Sequence, residues 1–217
     1  MPYSFFRRRE VWWPTGPGWL VLLGLAIATL ALGLRFLYPF LAVTQPVGAR
    51  IAVVEGWLDP SELDAAIAGL RRRGYEIVVT TGGPLHTWPD SPPDATFAHR
   101  AAAYLRRHGI SPVQAVPSPI TRDDRTYKSA VLVREWARAA NVDVRAIDVY
   151  SRGPHARRSR LLYREAFGAD VAVGVVALRP EGYDAARWWR SSSGARDVLE
   201  QASGLLWTLC FFRPPQM

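Results

Sequence analysis

Residues 144–167 read Val144-Arg145-Ala146-Ile147-Asp148-Val149-Tyr150-Ser151-Arg152-Gly153-Pro154-His155-Ala156-Arg157-Arg158-Ser159-Arg160-Leu161-Leu162-Tyr163-Arg164-Glu165-Ala166-Phe167. The apolar run from Val144 to Tyr150 predicts a strand, Ser151 to His155 a polar turn, and the residues from Ala156 onward return at helical spacing. A helix mouth is electropositive, because its first N–H groups lack intrahelical partners and the helix dipole points outward there. Arginine suits phosphate or carboxylate, so His155, Arg157, Arg158 and Arg160 mark this mouth as a candidate anion site. The competing reading makes the arginines solvated helix positions and His155 a turn residue.

The text on either side repeats the same alternation. Arg50 to Val54 predicts a first strand ending in Glu55-Gly56-Trp57, and Pro60 to Arg73 predicts a helix stopped by Gly74. Tyr75 to Thr80 predicts a second strand ending in Thr81-Gly82-Gly83, followed by a helix from Ala95 to His108. Val113 to Val116 is the third strand, and Asp124 caps a helix reaching Ala140. Val171 to Leu178 is the fifth, after the strand of the opening stretch, and Ala195 to Phe212 is a final apolar helix. Strict alternation predicts an α/β fold, a Rossmann-like three-layer parallel sheet of about five strands, with right-handed crossovers.

In front of this domain, Trp19 to Leu34 contains no charged residue, and Gly18 to Leu37 supplies the roughly 20 residues of a spanning helix. The organisation read from sequence is a cytoplasmic tail over 1–17, a transmembrane anchor over 18–38, a linker over 39–49 and the α/β domain over 50–217. Arg7-Arg8-Arg9 precede the span, so the positive-inside rule places the amino terminus in the cytoplasm and the domain outside it. A signal peptide cut near Val47-Gly48-Ala49 is the rival; the length of the apolar core favours an uncleaved anchor.

The 217 residues carry a net charge of +8, divided equally between residues 1–50 and 51–217, so the domain is only mildly basic. No basic stripe is interleaved with aromatic residues, and nucleic acid is not an expected partner. The sole cysteine, Cys210, excludes an intramolecular disulfide or cysteine zinc site. His86, His99, His108 and His155 share no metal-ligand spacing. Neither a Gly-x-Gly-x-x-Gly run, a P-loop nor a Gly-x-Ser-x-Gly elbow is present, and no cofactor is expected. Trp188-Trp189 read either as core residues or as a sugar platform.

In parallel sheets ligands bind outside the carboxyl ends of the strands. The first four ends carry Glu55 and Gly56; Thr81, Gly82 and Gly83; Asp123, Asp124, Arg125 and Thr126; and Ser151, His155 and Arg158. These are the candidate ligand residues, with Glu55, Asp123 and His155 as candidates for acid–base work.

Four ordered motifs, Ala52-Val53-Val54-Glu55-Gly56, Val79-Thr80-Thr81-Gly82-Gly83, Asp124 to Ala130, and Tyr150-Ser151 with His155, Arg157 and Arg158, resemble the YdcF, SanA and ElyC-like envelope proteins. The resemblance covers residues 50 to 180. It implies a Rossmann-like domain, often behind one membrane helix, associated with cell-envelope biogenesis and barrier integrity; S-adenosylmethionine binding is linked to a soluble relative. Glu55-Gly56-Trp57 departs from the glycine-rich end of the family's first strand, and Arg125-Thr126 from its Asn-Thr pair. The expected function is a membrane-anchored envelope protein with a pocket for a phosphorylated or anionic ligand, such as an isoprenoid-phosphate-linked precursor. The alternatives are a non-enzymatic envelope scaffold and an S-adenosylmethionine-binding protein.

Overall fold

The computed structural model describes residues 13–85, 95–121 and 124–214. His86, Asp123 and the Arg7 to Arg9 cluster lie outside the described residues. The chain divides into two units, Met1–Phe36 and Leu37–Met217.

Helix α1 (Gly16–Leu41) has a mean hydropathy of 2.3 over its most apolar 18 residues, and none of that window is buried. It is long and apolar enough to cross a membrane.

The larger unit alternates β1 (Ile51–Glu55), α2 (Pro60–Arg73), β2 (Ile77–Gly82), α3 (Phe97–Arg107), β3 (Val113–Pro117), α4 (Arg125–Ala139), β4 (Ala146–Arg152), α5 (Ala156–Phe167) and β5 (Ala172–Leu178), ending in α6 (Ser192–Cys210). All five strands are parallel in the order β3-β2-β1-β4-β5. This is the doubly wound arrangement, and its order reverses between β1 and β4.

Each face of the sheet has its own core. Ile51, Val53, Val79, Ile147, Val149, Val173 and Val175 pack against α4 and α5 residues, including Tyr127, Ala130, Leu162 and Tyr163. Ala52, Val54, Val78 and Tyr150 pack against α2 and α3, through Leu63, Ile67, Leu70, Ala101 and Leu105. The near-continuous apolar strands are a direct consequence of burial on both sides.

Local signals set the helix ends. The backbone N–H of Asp59 donates to Glu62 Oε2 at 2.9 Å, one half of a capping box, and Gly74 closes α2 in the left-handed conformation. Asp124 accepts from the N–H groups of Thr126 and Tyr127 at 3.0 and 3.1 Å, as its position before α4 predicts.

Two features differ from the sequence reading. Strand β4 runs on through Ser151 and Arg152, which pair with Ala177 and Leu178. These polar residues stay in the ladder because their side chains find acceptors: Ser151 reaches Glu55 and Arg152 reaches Glu62. Part of the expected linker is also ordered on the domain. Gln45 exchanges backbone hydrogen bonds with Val175 at 2.8 and 3.1 Å, and Thr44 Oγ1 accepts from the Ala177 N–H at 3.0 Å. This strap covers the outer edge of β5, which would otherwise offer unpaired backbone groups.

Buried Asp148 fastens the strap. Its Oδ1 accepts from the Val47 N–H at 2.8 Å, and its Oδ2 from the Tyr75 hydroxyl at 2.9 Å. A Cβ on Gly174, the β5 neighbour of Asp148, would overlap Oδ1. Gly174→Ala is therefore expected to destabilise the protein by about 3 kcal/mol, the upper range for overpacking, and to lower Tm by about 6–12 °C. Thermal unfolding followed by circular dichroism measures both, and an unchanged Tm would show that Asp148 does not hold the strap.

Candidate functional site

The register that pairs Val54 with Tyr150 makes Glu55 and Ser151 the next neighbours, at the point where the strand order reverses. Side chains alternate across a strand, so both follow Val53 and Val149 toward α4 and α5. Glu55 is only 2 % exposed, and a buried carboxylate requires donors. It receives two: the Ser151 hydroxyl donates to Oε2 and the Ser159 hydroxyl to Oε1, each at 2.7 Å. Ser159 lies on the inward stripe of α5.

His155 sits beside this carboxylate, with Nε2 3.9 Å from Glu55 Oε1. Its Nδ1 lies 2.6 Å from Oε1 of Gln201 on α6, and its Nε2 lies 3.3 Å from the Thr126 hydroxyl. A carbonyl-type oxygen accepts only, so Gln201 makes Nδ1 the protonated nitrogen and leaves the Nε2 lone pair facing Thr126. The ring is otherwise enclosed, with Trp57 edge-on at 5.4 Å between centroids. Thr126 is half-buried in the first turn of α4.

Chemically this is a hydroxyl, an imidazole base and an orienting acceptor in line, with a carboxylate nearby to stabilise the imidazolium that forms when Nε2 takes a proton. Gln201 was not among the sequence candidates. Its signal was present: Val198, Gln201, Leu205 and Thr208 form one stripe of α6, and a polar residue there faces inward.

The arginines of the opening stretch are engaged within the protein. Arg158 pairs with Asp124 and donates through Nε to Thr208 Oγ1 at 3.1 Å. Arg157 donates to the Phe40 carbonyl and stacks on the Phe40 ring at 4.1 Å. Arg160 donates to Val173 O at 2.9 Å and Gln45 Oε1 at 2.6 Å. A 3-10 turn, Gly153–His155, precedes α5, so its mouth is no open cradle. Arg125, exposed at the start of α4, is the sequence-selected cation that adjoins Thr126.

The glycines are also covered. A Cβ on Gly56 would collide with the Phe97 and Thr81 carbonyl oxygens, and one on Gly82 would lie 2.6 Å from Phe97 Cβ. Their close approach is to the start of α3. The Gly83 carbonyl accepts from the Phe97 N–H at 2.8 Å, and buried Thr81 neighbours the Tyr163 phenol. Burial, reinforced by the Glu55 charge, raises the pKa of that phenol. Trp188 is buried and Trp189 more exposed, with rings edge-to-face at 5.8 Å. Among the described residues no cluster of His, Cys, Asp and Glu could hold a metal ion.

A polar cleft of about 490 Å³ opens nearby, lined by Asp59, Arg152, Tyr183, Arg196, Asp197 and Glu200 among others. The Tyr183 hydroxyl donates to Asp197 at 2.7 Å. Burial raises the Asp197 pKa above its usual 3.8, outweighing the opposing Tyr183 hydrogen bond and Arg152 charge.

No protein-family model, curated protein or solved structure matches the chain. Its class therefore rests on the fold: a doubly wound parallel α/β domain with its polar site at the switch point. An amino-terminal helix with the length and hydropathy of a membrane span accompanies the domain.

Two outcomes follow. Asp124→Ala removes a helix cap and one partner of a half-buried ion pair, and is expected to cost about 2–3 kcal/mol. In a double-mutant cycle with Arg158→Ala, urea denaturation should give a coupling of about 1–2 kcal/mol; additive effects would mean that the pair is inert. Because the folded-state pKa of Asp197 is raised, its ionisation opposes folding. That side chain favours folding most below the unfolded pKa and loses the contribution as pH rises through the folded value. Asp197→Asn should thus stabilise the protein at neutral pH, with the difference shrinking on acidification; a stability difference independent of pH would contradict this.

Proposed function

We propose that the protein is a single-pass, membrane-tethered protein of the cell envelope whose switch-point site acts on a phosphorylated or otherwise anionic envelope precursor. The observation that carries this reading is the alignment of Thr126, His155 and Gln201 beside the buried carboxyl group of Glu55. His155 Nε2 takes the proton of the Thr126 hydroxyl, whose oxygen attacks the terminal phosphorus of a precursor diphosphate. The P–O bond to the lipid monophosphate breaks, and the leaving oxygen takes the proton back from His155, after which a water deprotonated by the same nitrogen cleaves the phosphothreonine and releases phosphate. Glu55 stabilises the imidazolium, and Arg125 supplies the positive charge beside the attacking oxygen. The resemblance to YdcF, SanA and ElyC-like proteins supports the envelope setting.

Membrane tethering draws support from α1, and an outward-facing domain draws support from Arg7 to Arg9 through the positive-inside rule. The strap supports retention of the anchor: cleavage after Ala49 would remove Thr44, Gln45 and Val47 from their partners on β5 and Asp148. A second reading, an envelope scaffold without catalysis, is favoured by the internal engagement of Arg157, Arg158 and Arg160.

The full chain in lipid nanodiscs is expected to bind farnesyl phosphate saturably and to release phosphate from farnesyl diphosphate. Arg125→Ala should weaken binding about tenfold, the loss of one charge-assisted contact, while His155→Ala should lower turnover by about 10²–10⁴ with binding retained. Calorimetry and phosphate release report the two separately. Wild-type turnover no greater than that of His155→Ala would leave the scaffold reading.

A further inference from the structure

Helix α6 is more than a cover for the site. Its inner stripe, Val198, Leu205 and Thr208, is buried, whereas Leu199, Leu206, Trp207 and Leu209 on its outer side are 48–62 % exposed, continuing into Phe211. A soluble surface rarely carries so contiguous an apolar patch without a partner. The location of this helix identifies the partner. Through Gln201 and Thr208, α6 packs on His155 and Arg158, at the start of α5. The last residues of the candidate span pack on the same corner: Phe40 binds Arg157, and the Tyr38 hydroxyl lies against Gly153 and its ring against Tyr183. The apolar side of α6 and the point where the tether enters the domain therefore share one end of the sheet.

We infer that α6 is an interfacial helix whose outer face inserts into the phospholipid surface from which the tether emerges. Leucine and phenylalanine occupy the acyl boundary, and Trp207 suits the headgroup level. Docking has a direct chemical consequence, since Gln201 on the opposite side of α6 fixes the tautomer of His155. The bilayer thereby sets the geometry of the site, and the ligand is drawn from the membrane plane as an amphiphile with an anionic head. The inference rests on α1 being a membrane span.

Cys210, the only cysteine, is exposed on this face of α6 and gives a native labelling position. The full chain, carrying an environment-sensitive fluorophore there, is reconstituted in phosphatidylethanolamine and phosphatidylglycerol vesicles. The expected result is a blue-shifted emission, quenching by lipids with a shallow acyl-chain nitroxide, and protection from iodide. A Leu206→Glu/Leu209→Glu variant with an unchanged far-ultraviolet spectrum should lose all three. A label quenched by iodide and insensitive to lipid nitroxides overturns the inference. So does protection that depends on protein density and not on lipid nitroxides, which would assign the face to a second copy. Carbonate extraction distinguishes the two failures: protein retained in the pellet with an iodide-accessible label defeats the α6 inference alone, while protein released by carbonate defeats the anchor and the inference together.

Discussion

The Glu55 carboxyl group, buried at the end of the central strand, constrains everything around it. A negative group in that position needs donors from elements that approach the switch point, and it draws Ser151 from β4, Ser159 from α5 and the imidazole of His155 toward one spot. The two serine hydroxyls direct their protons to its separate oxygens, so both sides of the carboxyl group are committed. The turn between β4 and α5 must then be tight, which Gly153 and Pro154 provide as a single 3-10 turn. The position where many doubly wound proteins admit a ligand's negative charge is in this chain already occupied by an acid of its own.

With both Glu55 oxygens taken by serine hydroxyls, the arginines nearby meet other acceptors. A cluster of guanidinium groups at a strand end would be costly to bury unless each met an acceptor. Arg158 takes Asp124, Arg157 the Phe40 carbonyl, Arg160 the Gln45 amide oxygen and the Val173 carbonyl of β5, and Arg152 takes Glu62. The arginines act as fasteners between the amino-terminal strap, the edge of the sheet and the helices around it. The pair Thr126 and His155 is left facing each other at this edge, with the imidazole held by Gln201 on a helix from the far end of the sequence.

The fold was legible because its determinants are local. Apolar runs of five to seven residues separated by amphipathic helices leave little besides a parallel sheet, and Asp124 and Gly74 mark helix ends by their own chemistry. Glu55, Thr126, Ser151 and His155 are legible in the same way, because a parallel sheet places all such strand ends on one edge. The pairing of Arg158 with Asp124 and Thr208, and of His155 with Gln201, is not legible, since these partners lie 34 to 50 residues apart and depend on how α4 and α6 meet α5. Ser159 and Gln201 carried the clue: each interrupts an apolar helical stripe at an inward position, where a polar side chain must meet another. The strap was illegible for a different reason: the backbone of Gln45 and Val47 makes much of its attachment, and the single side-chain bonds of Thr44 and Gln45 form no periodic pattern.

The strap gives the domain an unusual order of completion. Gln45 is synthesised before any strand, yet its partner Val175 belongs to the last one, and Asp148 is needed to hold Val47 in between. The sheet can grow outward from β1 in both directions, but its final edge closes only when the youngest strand returns to the oldest ordered segment outside α1. A chain interrupted before β5 leaves Thr44 and Gln45 without Ala177 and Val175, so the segment is held only where Asp148 meets Val47: a half-fastened strap next to the carboxyl end of the apolar helix α1.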